Sequence, residues 1–352
     1  MAISTLAKSS IGTFDKFNKT SAGNVSATGV FAFADGTSTF RTSPDGSTWT
    51  SYTTPGSLTG FHLTFHSAGK GWQWWNGSNG AASMAFNKNL LTAKLNGISN
   101  SASQTFTNNG WFQLIANDKT YVGISSNSRI VDEQNTIHMS YSSAPYSTPM
   151  TRPAWDGANT WATLSDNQAT YHWARFTSQA AQGVGVMPNE IEGGGAVGWS
   201  NWAFYTPPAS SYFRDIIYWS GYWYIRDDYM NVYRTANIAT ASPTWTTVGT
   251  LSNINSPMII ANNELWLLSG GYTSATAYKL STPTGSFSSI TMPAAKQSNN
   301  IVYGNGTYVV FNGDGTVFRS TTGASGSFSS VNTGSTASYA NRLTGGFGPT
   351  NG

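Results

Sequence analysis

Glu190 and Glu192 in one segment, and Asp227 and Asp228 in another, are the acidic residues whose spacing could support chemistry. Glycoside hydrolysis usually needs two carboxyl groups, one as general acid and the other as base or nucleophile. The same residue types also cap turns and line solvated loops, where they perform no chemistry. We favour that structural role for all of them, and we expect no catalytic residue and no enzymatic activity.

Metal and cofactor chemistry has few candidate residues. His62 and His66 fall on the same face of an extended strand, because side chains alternate with a period of two. A zinc site needs further ligands, and the neighbouring sequence supplies none; cysteine is absent from the chain. The run of glycines at 193–195 lacks the Lys-Ser/Thr of a phosphate-binding loop. We therefore expect no metal site and no cofactor.

Two clusters of tryptophan could contact a sugar. Trp72, Trp74 and Trp75 lie in one short segment, and Trp219 and Trp223 lie in another. Aromatic faces stack on sugar rings, and nearby Asn, Gln and Ser side chains supply directional hydrogen bonds. Large aromatic rings also fill the space between packed sheets. The sequence leaves both roles open, glycan contact and core packing.

The segment from Phe40 to Trp49 predicts a strand, a tight turn and a second strand. Asp45-Gly46 is a strong hairpin signal, since glycine tolerates the positive φ that such a turn needs. Ser43, Asp45, Gly46 and Trp49 resemble the Asp-box of sialidase-like β-propellers of the kind found in phage virion proteins. In this chain the glycine follows the aspartate directly, and the tryptophan is one residue closer than in the family pattern. The resemblance implies a structural turn on a propeller blade, away from any active site.

A repeated unit organises the C-terminal part of the chain. Each of its last three units has an apolar strand, an Asn/Gly turn, an apolar strand, an aromatic–basic pair, a turn and an aromatic strand. The pairs are Tyr233-Arg234, Tyr278-Lys279 and Phe318-Arg319, and Phe40-Arg41 is the corresponding pair near the N-terminus. Four-stranded units that recur at roughly 40–50 residues are typical of propeller blades.

These units predict an all-β fold. We expect a single β-propeller domain over residues 1–352 with seven four-stranded blades, or with six or eight because the fourth unit is irregular. Residues 1–13 are expected to supply a ring-closing strand, which would remove an exposed sheet edge. Residues 338–352, rich in glycine, are expected to form a flexible or partner-bound tail.

Composition limits the classes of partner. Charged residues make up 9% of the chain, against roughly 25% in an average soluble domain. Lysine and arginine form no cluster, so we expect no nucleic-acid partner, and no apolar run reaches the roughly 20 residues of a membrane span. The N-terminal segment that begins at Met1 lacks the basic and apolar regions of a Sec signal peptide.

The composition is that of an extracellular surface, although no export signal is evident. A phage virion protein would reconcile the two, because it is made in the host cytoplasm and faces the exterior after lysis. The expectation is a non-enzymatic virion structural protein, a tail component or capsid decoration, present in multiple copies at the virion surface. Its partners would be other virion proteins and a host cell-surface glycan. The alternatives are a sialidase-like glycoside hydrolase or carbohydrate-binding module, and a bacterial surface adhesin.

Overall fold

The structure is a computed structural model. It describes residues 29–35, 39–53, 62–66, 71–76, 83–87, 112–116, 119–124, 129–132, 137–139, 154–155, 160–167, 170–177, 203–205, 213–227, 229–236, 238, 243–254, 256–268, 274–337 and 343–350. Side chains are described in the ranges between 29 and 53 and between 215 and 350, and for Leu63, Phe65 and Trp72. The prediction of a strand at residues 1–13 lies outside these ranges.

Twenty-seven strands occur in the described ranges. The first three sheets use β1 (Gly29–Ala34), β2 (Thr39–Ser43), β3 (Thr50–Thr53), β4 (His62–His66), β5 (Gly71–Asn76), β6 (Ser83–Asn87), β7 (Phe112–Ala116), β8 (Lys119–Ile124), β9 (Arg129–Asp132) and β10 (Ile137–Met139). The fourth and fifth use β11 (Ala154–Trp155), β12 (Thr160–Asn167), β13 (Thr170–Thr177), β14 (Ala203–Tyr205), β15 (Phe213–Trp219), β16 (Tyr222–Asp227), β17 (Asn231–Thr235) and β18 (Thr246–Thr250). The sixth and seventh use β19 (Ile259–Ala261), β20 (Glu264–Leu267), β21 (Thr276–Leu280), β22 (Ser288–Thr291), β23 (Ser298–Gly304), β24 (Thr307–Asn312), β25 (Val317–Ser320) and β26 (Ser329–Val331), and β27 (Gly345–Pro349) follows.

Each sheet is built from strands that are consecutive in the chain, with one exception. The described residues form six four-stranded sheets and one three-stranded sheet, β4–β5–β6. The exception is the first sheet, whose order is β27–β1–β2–β3. All the pairings are antiparallel. In the sheets built from four consecutive strands, the first and third turns therefore lie at one end, and the middle loop lies at the other end with the connection to the next sheet. In the part of the chain described, no helix is long and apolar enough for a membrane crossing.

The C-terminal strand β27 joins the two ends of the chain. Its residues pair with β1, from Gly29 opposite Pro349 to Phe33 opposite Gly345. The strand also lies against β4 and β23, and the side chain of Asn300 on β23 exchanges hydrogen bonds with the backbone of Gly345. The prediction of a flexible or partner-bound tail is therefore wrong for Gly345–Pro349, because this segment has backbone partners on β1.

Glycine in β27 serves close packing. A Cβ atom on Gly345 would collide with the ring of Phe311, and a Cβ atom on Gly348 would collide with the ring of Phe65. The ring of Phe347 lies against Phe31, 4.8 Å between centroids, where a side chain on Gly304 could not fit. The glycine-rich composition that suggests flexibility is thus what lets a strand pass between aromatic rings.

The apolar core lies between neighbouring sheets. Each contact is made by side chains that alternate along the strands, as the pleat requires. Between the first and seventh sheets, the buried residues are Phe31, Phe33, Val309, Phe311, Val317 and Leu343. Between the sixth and seventh, they include Trp266, Ile290, Ile301, Val310 and Phe318. Equivalent clusters join the fifth sheet to the sixth, through Tyr224 and Leu265 among others, and the first sheet to the second, through Phe40 and Trp72.

The aromatic–basic pairs do not all have the same phase. Arg234 and Arg319 each extend toward the following sheet, where they bond to Pro283 and Asp45 respectively. Arg41 instead extends back toward the seventh sheet and bonds to Thr333 and Gly334. The following turns explain the difference. The hydroxyl of Ser43 accepts the backbone N–H of Gly46, and the hydroxyl of Ser320 accepts that of Gly323, so the two serines are equivalent. The residue before each serine is then equivalent too, which aligns Arg319 with Thr42. Treating Phe40-Arg41 as the copy of Phe318-Arg319 is therefore wrong by one residue, which reverses the face of the strand.

Candidate functional site

The turn from Ser43 to Trp49 is held by its own polar side chains. The hydroxyl of Ser43 accepts a hydrogen bond from the backbone N–H of Gly46 (2.8 Å), which has a φ of 77°. Asp45 Oδ1 accepts the N–H of Ser47 (2.8 Å), and Ser47 Oγ donates to Asp45 Oδ2 (2.5 Å). The indole N–H of Trp49 donates to the carbonyl of Gly46 (3.1 Å). Ser43, Asp45, Gly46 and Trp49 therefore act together as one structural turn.

Hydrogen bonding also stabilises the charge of Asp45. The side-chain bond from Ser47, aided by the backbone N–H groups of Ser47 and Thr48, lowers the pKa of Asp45 to about 2. Partial burial acts in the opposite direction and does not prevail. The carboxylate is ionised at neutral pH and serves as an acceptor for the turn.

The same turn also contacts the seventh sheet through hydrogen bonds and close packing. Arg319 Nε donates to the carbonyl of Asp45 (2.7 Å). Asn305 Nδ2 donates to the carbonyls of Gly29 (2.9 Å) and Pro44 (3.0 Å). A Cβ atom on Gly46 would lie 2.6 Å from Val309 Cγ2, so the turn packs directly on the seventh sheet. These contacts join the N-terminal sheet to the last one.

Three of the tryptophans considered for glycan contact belong to the core. Trp72 is fully buried, and its indole N–H donates to the carbonyl of Pro349 (2.8 Å). Trp219 and Trp223 are each 3% exposed, and Trp219 donates to Asn263 Oδ1 (3.3 Å). Their aromatic faces are covered by protein, so the glycan-contact role is wrong for these residues and the packing role holds. Trp74 and Trp75 lie on β5, and their side chains are outside the described residues.

Of the four carboxylates that the sequence suggests as catalytic candidates, the structure describes only Asp227. Glu190, Glu192 and Asp228 lie outside the described residues. Asp227 is fully buried; its oxygens accept bonds from the backbone N–H of Asn231 (2.7 Å), the amide of Asn231 (2.9 Å) and the hydroxyl of Tyr233 (3.3 Å). Asp227 therefore caps a loop. Among the residues that the structure describes, no group of His, Cys, Asp and Glu could hold a metal ion.

Asp227 belongs to a repeated loop that the sequence analysis missed. Asp35, Asp227 and Asn312 each stand at or just after the end of the second strand of a sheet, and each is buried. Each is hydrogen-bonded to the residue four positions later: Asp35 N to Thr39 O (3.2 Å), Asn231 N to Asp227 Oδ1, and Asn312 N to Thr316 O (3.1 Å). An Asp or Asn followed four residues later by Thr or Asn was the signal available in the sequence.

A polar cluster lies between the sixth and seventh sheets, at the end that carries the hairpin turns. Glu264 Oε2 accepts the hydroxyl of Tyr308 (2.8 Å), and Glu264 Oε1 lies 3.1 Å from Lys279 Nζ and accepts the hydroxyl of Ser281 (2.9 Å). Asn262 Nδ2 donates to the Tyr308 hydroxyl (2.7 Å). Burial raises the pKa of Tyr308 far above its ordinary value, with Glu264 adding to the effect.

This cluster contains residue types that occur in catalytic sites, but its burial and charge pairing are those of a structural contact. A tyrosine nucleophile needs a lowered pKa or a base that removes its proton. Tyr308 is 3% exposed, and its pKa is raised. Lys279 lies against the ring of Trp266, 5.3 Å from its centroid, and neutralises Glu264. Burial and charge pairing thus favour a fixed contact between two sheets.

Comparison with solved structures identifies the fold. The computationally designed Ika8 protein matches 93% of this chain and 98% of its own, with 9% identity and a TM-score of 0.52. The WD40 β-propeller domain of Doa1 matches over 83% of this chain and 88% of its own, with 13% identity and a TM-score of 0.52. No protein-family model and no curated protein sequence matches the chain. The prediction of an all-β propeller is confirmed, whereas the number of blades stays a prediction.

Proposed function

We propose that this chain is a non-enzymatic structural component of a phage particle, carried on the tail or as a capsid decoration, which presents its propeller for attachment to a host surface or glycan. It acts at the virion surface, in multiple copies and in contact with other virion proteins. In this proposal the Ser43–Trp49 turn, which resembles the Asp-box of sialidase-like propellers, has a structural role and binds no ligand.

The observation that carries the proposal is the use of the acidic side chains. Among the residues whose side chains are described, each carboxylate holds a turn, a loop or a junction between sheets. Asp215, for example, is fully buried and accepts the backbone N–H groups of Ile216 and Met258, which joins the inner strand of the fifth sheet to the start of the sixth. The others are Asp35 with Arg41, Asp45 in its turn, Asp227 with Asn231, Glu264 with Lys279, and Asp314 with Lys296. Rigid scaffolding is what such an arrangement provides.

The test is the composition of purified particles. Virions from a phage whose genome encodes this chain would be separated on a density gradient and examined by mass spectrometry. The protein should be enriched in the infectious fraction at a fixed ratio to the major capsid protein. Immunogold labelling would then distinguish tail from capsid. Absence from the particles, with the protein present in the lysate, would overturn the proposal.

A sialidase-like glycoside hydrolase is a second candidate, because Tyr308 and Glu264 are the residue types that its nucleophile and base require and are joined by a hydrogen bond of 2.8 Å. The burial of Tyr308 and the pairing of Glu264 with Lys279 weigh against it. In sialidases, whose Asp-box the Ser43–Trp49 turn resembles, a Tyr–Glu pair acts as nucleophile and base. Turnover of fluorogenic glycosides that is abolished by Glu264→Gln, Glu190→Gln or Asp228→Asn would support the hydrolase. Absence of turnover by the wild-type protein over a panel of substrates would leave the attachment role as the better proposal.

A further inference from the structure

At the end of the fifth sheet opposite its hairpin turns, one aromatic side chain is unusually exposed. Tyr229 is 72% exposed, and it is the one large hydrophobic residue so exposed among the described part of the chain. The next residue, Met230, has a φ of 64°, a conformation that costs free energy in a residue other than glycine. Met230 packs against the core between the fifth and sixth sheets. The strained loop thus anchors one side chain inward while its neighbour is exposed.

The surface beside Tyr229 is fixed by backbone pairing. Asn231 is opposite Thr250 in the β17–β18 ladder, and the N–H of Leu251 donates to the carbonyl of Met230 (2.9 Å). Tyr229 and Ser252 are the residues directly beyond this bonded pair in the two segments, and both are exposed. The loop and the connection to the sixth sheet therefore form one surface at this end.

The polar groups of this surface are hydroxyls and amides. Thr250 Oγ1 donates to Asn231 Oδ1 (2.7 Å) at an exposed position. The hydroxyls of Ser252 and Tyr278, the latter from the sixth sheet, lie 2.9 Å apart and are exposed. Asn253, also exposed, has a φ of 56°. We define the Tyr229 surface as Tyr229, Asn231, Thr250, Ser252, Asn253 and Tyr278, all of which are uncharged.

The described charged residues that precede Tyr229 in its loop are buried, and Asp228 lies outside the described residues. Asp227 is fully buried and bonded to Asn231 and Tyr233, and Arg226 is 6% exposed, with its guanidinium near Ser256 O and Met230 Sδ. An anionic or cationic ligand would find no exposed counter-charge among the six residues of the surface. A large apolar partner would find a single aromatic ring surrounded by polar groups, whereas stable protein interfaces need an apolar centre.

We propose that the Tyr229 surface binds an uncharged carbohydrate, with the Tyr229 ring stacked on a sugar face and the Ser252, Asn253 and Tyr278 polar groups bonded to sugar hydroxyls. Aromatic faces and directional polar groups together are the chemistry that recognises a sugar. The inference rests on the proposed attachment role and gives that role a location. The Tyr229 surface takes the place of Trp72, Trp219 and Trp223 as the candidate glycan contact, because those three side chains are buried.

The test is a glycan array that carries uncharged and charged oligosaccharides from bacterial surfaces, probed with the labelled full-length chain. The wild-type protein should bind at least one uncharged glycan. Tyr229→Ala should weaken binding by about tenfold or more, since it removes the stacking ring. Tyr229→Phe, which keeps the ring, should retain binding within about threefold. Asn253→Ala should give an intermediate loss, and Ser330→Ala, at an exposed position on the seventh sheet, should bind as the wild type does.

Two outcomes would overturn the inference. Binding of no uncharged glycan by the wild-type protein, or equal binding by Tyr229→Ala, would exclude the Tyr229 surface as a sugar site. An unchanged melting temperature for Tyr229→Ala is expected from its exposure and shows that any loss is not a folding defect. Recovery of the protein in purified particles would keep the structural role even if no glycan binds, so failure of the site and failure of the proposed function are distinguishable.

Discussion

Arg319 Nε donates a hydrogen bond to the main-chain carbonyl of Asp45, 2.7 Å away and 274 positions earlier in the chain. The bond joins the third strand of the last sheet to the turn of the first. Arg234 makes the equivalent bond to the carbonyl of Pro283 (2.7 Å) between the fifth and sixth sheets. A basic side chain at this position therefore links one sheet to the turn of the next.

Arg319→Ala should lower the free energy of unfolding by about 1–3 kcal/mol, because the carbonyl of Asp45 loses a charged donor at a partly buried position. Arg319→Gln should lose less, since its amide is still a donor. The measurement is urea denaturation followed by tryptophan fluorescence. Ser330→Ala, an exposed position on the same sheet, serves as the control. Equal midpoints for Arg319→Ala and the control would contradict the role of this bond.

Trp49→Ala should cost about 2–3 kcal/mol, somewhat below the range for a fully buried aromatic residue. The indole is partly exposed, yet it packs against Phe33 (5.2 Å between centroids) and Phe311 (6.2 Å). Trp49→Phe keeps most of this packing and loses the N–H bond to Gly46, so we expect a loss of about 1 kcal/mol. Thermal unfolding would show whether the two substitutions differ in this order.

Gly304 and Phe347 should be energetically coupled. A side chain on Gly304 would collide with the Phe347 ring, so Gly304→Ala should destabilise the wild-type protein by about 1–3 kcal/mol. Phe347→Ala should cost about 2–4 kcal/mol through lost packing against Phe31. In the double variant the collision is absent, and the sum of the single losses should exceed the measured loss by about 1 kcal/mol or more. Strict additivity would show that Phe347 does not occupy this position in solution.

Asp45 should contribute to acid sensitivity in a narrow window. Its pKa is lowered to about 2 in the folded state from an ordinary value of 3.8. The stabilisation is therefore complete above about pH 4 and is lost as the pH falls toward 2. Because the group is largely solvent-accessible, the effect should stay under about 1 kcal/mol. Urea midpoints measured between pH 5 and 2 should fall less steeply for Asp45→Asn than for the wild type, and parallel curves would refute the assignment.

Local signals predicted the repeated sheets and the turn at Asp45-Gly46, because each depends on residues close in the chain. The fate of Gly345–Pro349 could not be predicted in this way. Its partners, Phe31, Phe65 and Phe311, are remote in sequence. A glycine that is required for close packing between aromatic rings cannot be distinguished by sequence from a glycine in a flexible tail. The alignment of Arg41 with the other basic residues was predicted wrongly for a related reason. A shift of one residue along a strand decides which neighbouring sheet a side chain contacts.

For the candidate site, the sequence identified aromatic residues and polar neighbours but not their exposure. Trp72, Trp219 and Trp223 are buried because their strands face other sheets, a fact set by the order of sheets and not by local composition. Tyr229 lies in the loop that follows Asp227 and is 72% exposed, and the next residue, Met230, has a positive φ. No pattern of residue types in that loop distinguishes an outward ring from an inward one.

Because β27 completes the first sheet, the order of synthesis has a consequence for folding. The nascent chain emerges with β1, β2 and β3 first, yet the backbone edge of β1 has no permanent partner until Gly345–Pro349 leaves the ribosome. During translation this edge must stay solvated or be shielded by a chaperone. We expect ribosome-bound chains that stop before residue 343 to be protease-sensitive at the first sheet, and release of the complete chain to confer resistance in a single late step.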